Sequence, residues 1–104
     1  MVKVNRTDCV FCNYDKELYH ETPDFIVFKP LEPVSDLHYL VCPKVHVDNY
    51  FEEDALYYWE KLPELVNELK SKTKVSSFKC VVNTEAPFQQ VFHAHLHFIG
   101  FIEK

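Results

Sequence analysis

The clearest hydrophobic pattern in the chain is a strict alternation of histidine and apolar residues over residues 93–98. Successive side chains of an extended strand point to opposite faces. We therefore expect His93, His95 and His97 on one face, with the apolar side chains between them on the other. Imidazole serves as nucleophile, acid or metal ligand near neutral pH, so this row predicts a reactive face. The alternative is an ordinary half-buried strand whose polar face is histidine.

Strands are also predicted elsewhere, in segments rich in β-branched and aromatic residues. They cover residues 24–29, 37–42 and 77–83, with a shorter one near 19–21, and the histidine strand is expected to run from about 91 to 102. Residues 13–18 predict a short helical turn. The order of the strands and their short connections favour an antiparallel sheet.

One amphipathic helix is predicted between residues 49 and 72, where apolar residues recur at helical spacing. These residues are Leu56, Trp59, Leu62, Val66 and Leu69. Pro63 lies inside this segment and removes a backbone donor, so we expect a kink or two abutting helices. The predicted fold class is α+β, a five-stranded antiparallel sheet with this helix on one face and a short N-terminal helix, in one domain of residues 1–104.

Composition limits the classes of function. Hydrophobic residues make up 47% of the 104 residues, which predicts a folded chain, and the net charge of −5 argues against general binding to nucleic acid or to anionic membranes. No apolar run approaches the length of a membrane span, and residues 1–8 lack the apolar core of a signal peptide. We therefore expect a cytoplasmic or nuclear protein with reduced cysteines.

Two of the four cysteines have the spacing of metal ligands. Cys9 and Cys12 are three positions apart, the common spacing for one tetrahedral zinc ion. The alternative is that they are simply two small residues of an N-terminal segment. Cys42 and Cys80 lie within apolar strand-like runs, so we expect them to be buried packing residues.

Together, these motifs resemble those of the histidine triad (HIT) family, whose signature is His-φ-His-φ-His-φ-φ with φ apolar. The similarity extends from about residue 9 to residue 100 and includes Phe28-Lys29, Pro43-Lys44-Val45-His46, Asn83 and the Gln-Gln-Val-Phe segment before His93. The chain is most similar to the histidine triad nucleotide-binding branch. The resemblance implies a HIT-like fold and nucleotidyl hydrolysis or transfer on a purine nucleotide.

The resemblance also implies roles for individual residues. His95 would be the nucleophile, held by the backbone carbonyl of His93, while His97 and His38 orient the site and move a proton. Asn83 would contact sugar or phosphate, and the phosphate would be bound by Gln89, Gln90 and the amide of Val91. The implied apolar slot for the base consists of Val10, Phe11, Phe28, Leu31 and Leu40, each of which could equally be a core residue.

A structural zinc ion is the second implication of the resemblance. Its ligands would be Cys9, Cys12, His46 and His93, a closed tetrahedral set without an open position. Family members commonly form homodimers through the helix and an edge strand, and the aromatic run at residues 57–59 permits this here.

The chain departs from the family at the substrate side. Pro30 stands where many members carry the Asp that binds the ribose, with Glu32 or Asp36 as possible substitutes, and Pro87 and Phe88 stand where glycines are usual. The favoured hypothesis is hydrolysis of nucleoside 5′-phosphoramidates or similar AMP or GMP conjugates. Alternatives are dinucleoside polyphosphate hydrolysis and a zinc-stabilised nucleotide-binding module with little turnover. Removal of AMP from DNA ends is disfavoured by the negative charge.

Overall fold

The computed structural model describes residues 9–89 and 91–103. In chain order, the elements are β1 (His20–Glu21), β2 (Phe25–Phe28), β3 (His38–Pro43), a 3-10 turn (Glu53–Ala55), α1 (Leu56–Thr73), β4 (Ser77–Val82) and β5 (Leu96–Phe101). The strands form one antiparallel sheet in the order β1-β2-β3-β5-β4. The predicted α+β class, with five antiparallel strands and a helix, is confirmed.

The two faces of the sheet differ, because side chains alternate along each strand. On one face, Val41 of β3 and Phe98 of β5 belong to the main core, together with Leu62, Leu65 and Leu69 of α1. On the opposite face, the smaller cluster consists of Phe28, Leu40 and Cys42, with Phe11 packed against it. The helix therefore covers only one face, and the other is left for the histidines.

The helix is one continuous element of 18 residues, so the expectation of two abutting helices was wrong. Pro63 lies at an exposed position, where a helix can bend to accommodate the missing backbone hydrogen bond. The buried stripe is Tyr58, Leu62, Leu65 and Leu69, whereas Leu56 and Trp59 of the predicted stripe are exposed. No helix in the described part of the chain is long and apolar enough to cross a bilayer.

The histidine strand is shorter than predicted. β5 begins at Leu96, so His93 and His95 precede it. The backbone N–H of Ala94 donates to the carbonyl of Val47 at 2.6 Å, which draws this segment away from the sheet. The alternation itself is retained, since Ala94, Leu96 and Phe98 all lie in the core.

Two smaller expectations also need correction. The short N-terminal helix expected at residues 13–18 is replaced by a single turn at 10–13, in which the N–H of Asn13 donates to the carbonyl of Cys9 at 3.2 Å. Cys42 is buried as predicted, but Cys80 is exposed, because β4 is an edge strand with most of its residues open to solvent.

Candidate active site and metal centre

A cluster of four potential metal ligands joins three distant parts of the chain. The donor atoms of Cys9, Cys12, His46 and His93 all lie within 4.8 Å of one another. The Cys12 sulfur is 3.2 Å from Nδ1 of His46 and 3.4 Å from Nδ1 of His93. Ligands of a tetrahedral ion at zinc distances are separated by roughly 3.3–3.8 Å, so this donor set fits one such ion.

The outer nitrogen of each imidazole in this cluster is also bound. Nε2–H of His93 donates to the carbonyl of Pro43 at 2.7 Å, and Nε2–H of His46 donates to the Asp48 carboxylate at 2.7 Å. In the neutral form, each ring therefore presents an unprotonated Nδ1 to the sulfurs. Burial lowers the pKa of His93 to about 4, which keeps it in the neutral form that a metal requires.

His95 has one ring nitrogen fixed and one available. Nδ1–H of His95 donates to the backbone carbonyl of His93 at 2.9 Å, which sets the tautomer and leaves the lone pair on Nε2. Burial lowers the pKa of His95, so the ring is neutral at pH 7. The ring of Phe11 packs edge-on against it, with the centroids 5.3 Å apart. A neutral, oriented imidazole of this kind is suited to nucleophilic attack.

His38 and His97 form a second oriented pair. His97 pairs with Leu40 across β5 and β3, which places His38 diagonally beside it on the same face. Nδ1 of His38 accepts the backbone N–H of Val34 at 3.0 Å, so neutral His38 carries its proton on Nε2. That proton is donated to Nδ1 of His97 at 2.9 Å. His97 must then carry its own proton on Nε2, and burial lowers its pKa to about 4.

A largely apolar cavity of about 470 Å³ has no histidine among its described lining residues and is connected to the triad through Phe11. Its lining includes Val10, Phe11, Tyr14 and Leu31, and Phe11 also contacts the ring of His95. Val10 is 63% exposed and Leu31 is 89% exposed, so they form an open rim rather than a core. Phe28 and Leu40, also predicted for the base slot, are buried beneath it in the smaller cluster.

The residues predicted to bind phosphate and sugar are placed differently from one another. Asn83 follows directly after β4, and since Val82 pairs with Leu96, the register carries Asn83 towards His95. Gln89 is only 2% exposed, and its side chain is bonded to the backbone of Glu85, Asp48 and Val91. Gln90 lies outside the described residues.

Comparisons with known proteins identify the family of the chain. The sequence profile of the HIT domain matches residues 13–103, which is most of the chain. The chain belongs to the HIT domain family. The profile covers the three histidines and His46, whereas Cys9 and Cys12 precede the matched region.

Individual HIT relatives cover nearly the whole chain. Protein HitA of Neisseria gonorrhoeae is 32% identical, covering 89% of this chain and 95% of that protein. Adenosine 5′-monophosphoramidase HINT3 of Mus musculus is 28% identical, covering 94% of this chain and 70% of that protein. A solved structure, a hypothetical histidine triad nucleotide-binding protein from Sulfolobus tokodaii strain7, is 33% identical with a TM-score of 0.72, covering 92% of this chain and 70% of that one.

Sequence reasoning missed several contributors to this HIT site. Tyr14 stacks on Phe28, with the ring centroids 3.8 Å apart, and lines the apolar cavity. Asp48 carried a weak signal, since it is a carboxylate two residues after a predicted ligand. The Val34 amide and the Pro43 carbonyl carried none, because backbone groups are invisible in a sequence.

Proposed function

We propose that this HIT protein is a nucleotidyl hydrolase or transferase that cleaves purine nucleoside 5′-phosphoramidates or related AMP and GMP conjugates. The observation that carries the proposal is the hydrogen bond from Nδ1–H of His95 to the backbone carbonyl of His93. It leaves a neutral Nε2 directed away from its own backbone and beside a donor-bearing His97. The ring centroids of His95 and His97 are 5.3 Å apart.

In the proposed reaction, Nε2 of His95 attacks the α-phosphorus and the bond from phosphorus to the leaving nitrogen breaks. His97, in the imidazolium form that the negative phosphate of a bound substrate favours, donates its Nε2 proton to the departing amine. Water then attacks the nucleotidyl-His95 intermediate, breaks the bond between nitrogen and phosphorus, gives a proton back to His97 and releases the nucleotide. Proton delivery by a positioned imidazole is worth on the order of 10²–10⁴-fold in rate.

The nucleotide is proposed to lie with its base in the apolar cavity and its phosphate beside His95. Val10, Phe11 and Leu31 would contact the base, with Phe28 and Leu40 supporting the slot from below. Asn83, Gln90 and the amide of Val91 would bind sugar or phosphate. Since Pro30 cannot accept a hydroxyl hydrogen bond with its side chain, the ribose is held less directly than in members with an acidic residue there.

We further propose that Zn²⁺ occupies the cluster of Cys9, Cys12, His46 and His93. Two thiolates and two imidazoles suit zinc better than Mg²⁺ or Ca²⁺, which prefer oxygen ligands. When bound, zinc would be structural, because four protein ligands leave no position for water. Thiolate ligands require a reducing compartment, which favours the cytoplasm or nucleus.

A homodimer is also proposed. Among residues 9–89 and 91–103, β4 is an edge strand with one side of its backbone unpaired, and Val81 on it and Phe101 on the neighbouring strand are exposed. On the helix, Leu56 is 64% exposed and Trp59 is 36% exposed. Exposed strand edges and apolar side chains together favour pairing with a second copy of the chain.

The nucleophile is tested by His95→Ala with adenosine 5′-phosphoramidate as substrate. We expect the wild-type protein to release AMP and the variant to lose at least about 10³-fold in rate, because the covalent route is removed. His20→Ala, which changes a histidine on β1 that contacts Glu68, is the matched control. Intact-mass measurement of the quenched reaction should detect a nucleotidyl adduct on His95.

Unchanged AMP release by His95→Ala would refute the assignment. Turnover of dinucleoside polyphosphates but not of phosphoramidates would identify the polyphosphate branch instead. Tight AMP binding by calorimetry, without turnover of any conjugate, would identify a binding module.

The tautomer of the His38–His97 pair is tested by Val34→Pro, which removes the N–H that donates to Nδ1 of His38. His38 could then hold its proton on either nitrogen, so we expect kcat to fall about tenfold with little change in KM. Val34→Ala keeps the amide and should retain wild-type kcat, since the Val34 side chain is 71% exposed. Equal kcat values for the two variants would contradict the role of this hydrogen bond.

Zinc binding is tested by elemental analysis and by Asp48→Ala. Protein purified without chelators should contain about one zinc per chain. Loss of the Asp48 carboxylate frees His46, so we expect zinc affinity to fall about 10–100-fold, with a smaller loss for Asp48→Asn, which keeps an acceptor. Glu60→Gln, on the exposed face of α1, is the control. A folded sample without zinc would refute the assignment.

The dimer is tested by light scattering coupled to size-exclusion chromatography. The chain mass is 12.4 kDa, so the expected particle has twice that mass. Val81→Lys places a charge on the edge strand and should shift the particle to the monomer mass. Lys79→Ala on the same strand should not. A wild-type monomer at micromolar concentration would overturn this proposal.

A further inference from the structure

Gln89 is nearly buried, and its side chain has no donor left for a ligand. Although Gln89 is one of the residues predicted to bind phosphate, it is only 2% exposed. Its Nε2 donates to the carbonyl of Asp48 at 2.6 Å and to the carbonyl of Val91 at 2.9 Å. A primary amide has two N–H donors, and both are used by these two bonds. Direct hydrogen bonding of Gln89 to phosphate is therefore incompatible with this arrangement.

The remaining contacts of Gln89 are made within its own loop, with the backbone of Glu85. Its side-chain oxygen accepts the N–H of Glu85 at 2.9 Å, and its own N–H donates to the carbonyl of Glu85 at 2.9 Å. Glu85 has a φ of 64°, in the left-handed region that non-glycine residues rarely adopt. The backbone reversal at Glu85 is thus stabilised from both sides by one residue.

The far end of this connection is the segment that carries a metal ligand. The Asp48 carbonyl accepts from Gln89, while the Asp48 carboxylate accepts from His46 of the cysteine and histidine cluster. The neighbouring Val47 carbonyl accepts the N–H of Ala94, between His93 and His95. Residues 46–48 therefore include one candidate metal ligand. They also contact the loop before the triad through Asp48 and the triad segment through Val47.

We propose that Gln89 is a positioning residue that couples its loop, at Glu85 and Val91, to the metal-binding segment of residues 46–48. Gln89 holds the Val91 backbone so that the Val91 amide faces the phosphate. When a bound metal orders residues 46–48, the hydrogen bonds of Gln89 order this loop as well. The part of the proposal that concerns phosphate rests on the proposed function. The coupling between loop and metal segment rests on the proposed zinc site but not on the nucleotidyl chemistry.

The test compares wild type with Gln89→Glu and Gln89→Met, each with zinc and after removal of zinc. Gln89→Glu keeps the acceptor for Glu85 but places oxygen against two carbonyls, and Gln89→Met removes all three bonds without adding charge. Phe88→Leu is the control, because Phe88 is in the same loop and 74% exposed. Amide hydrogen exchange of peptides covering residues 84–92, zinc transfer to a chelator, and kcat and KM for adenosine 5′-phosphoramidate are measured.

With zinc bound, we expect loop exchange and zinc release each to be about tenfold faster in both Gln89 variants than in wild type or Phe88→Leu, as for loss of a buried hydrogen bond. Removal of zinc should accelerate loop exchange in wild type but add less than twofold in the variants, because coupling between two sites is reciprocal. The value of kcat should fall about tenfold with KM changing less than threefold, since the displaced Val91 amide stabilises the charge that develops on the phosphate in the transition state.

Rates of loop exchange and zinc release equal to those of wild type in both Gln89 variants would overturn the coupling. A rise in KM with unchanged loop exchange would instead assign Gln89 as a direct phosphate ligand, against the proposal. If the wild-type protein turns over no nucleotidyl conjugate, the proposed function fails, while exchange and zinc release still decide the coupling. Gln89→Met provides the same measurements if the buried charge of Gln89→Glu prevents folding.

Discussion

The hydrogen bond from His95 to the backbone of His93 is the contact on which the site depends. His93 contributes its ring to the cluster of thiols and imidazoles, and its carbonyl holds Nδ1 of His95 at 2.9 Å. A buried imidazole without such an acceptor would exchange tautomers and lose its fixed direction. One residue thus joins the candidate metal centre to the candidate nucleophile through its own backbone and side chain.

Backbone groups determine the tautomers of three imidazoles of the site. Pro43 fixes His93 with its carbonyl, His93 fixes His95 in the same way, and the amide of Val34 fixes His38. Backbone atoms have no rotamers, so orienting a ring with them costs little conformational entropy. Burial then lowers the pKa of each ring in the triad, so that neutral imidazoles persist at pH 7.

Much of this arrangement follows from the sequence because it depends on side-chain type and spacing. The alternation at residues 93–98 correctly placed Ala94, Leu96 and Phe98 in the core, and the resemblance to HIT proteins predicted the cluster of Cys9, Cys12, His46 and His93. The start of β5 was not predictable, because it is set by the long-range bond from Ala94 to Val47. Likewise, the burial of Gln89 depends on Asp48, 41 positions earlier in the chain.

Phe11 lies between the two cysteines, and its position constrains how a HIT pocket of this kind can diversify. The residue lines the apolar cavity while the cysteines on either side of it belong to the candidate metal centre. An insertion or deletion between Cys9 and Cys12 would alter the distance between the sulfurs, so this wall of the pocket cannot change in length. Selection or protein engineering aimed at a different ligand for this cavity can therefore act here only by exchanging side chains, and Val10 and Phe11 are the two positions where that freedom exists.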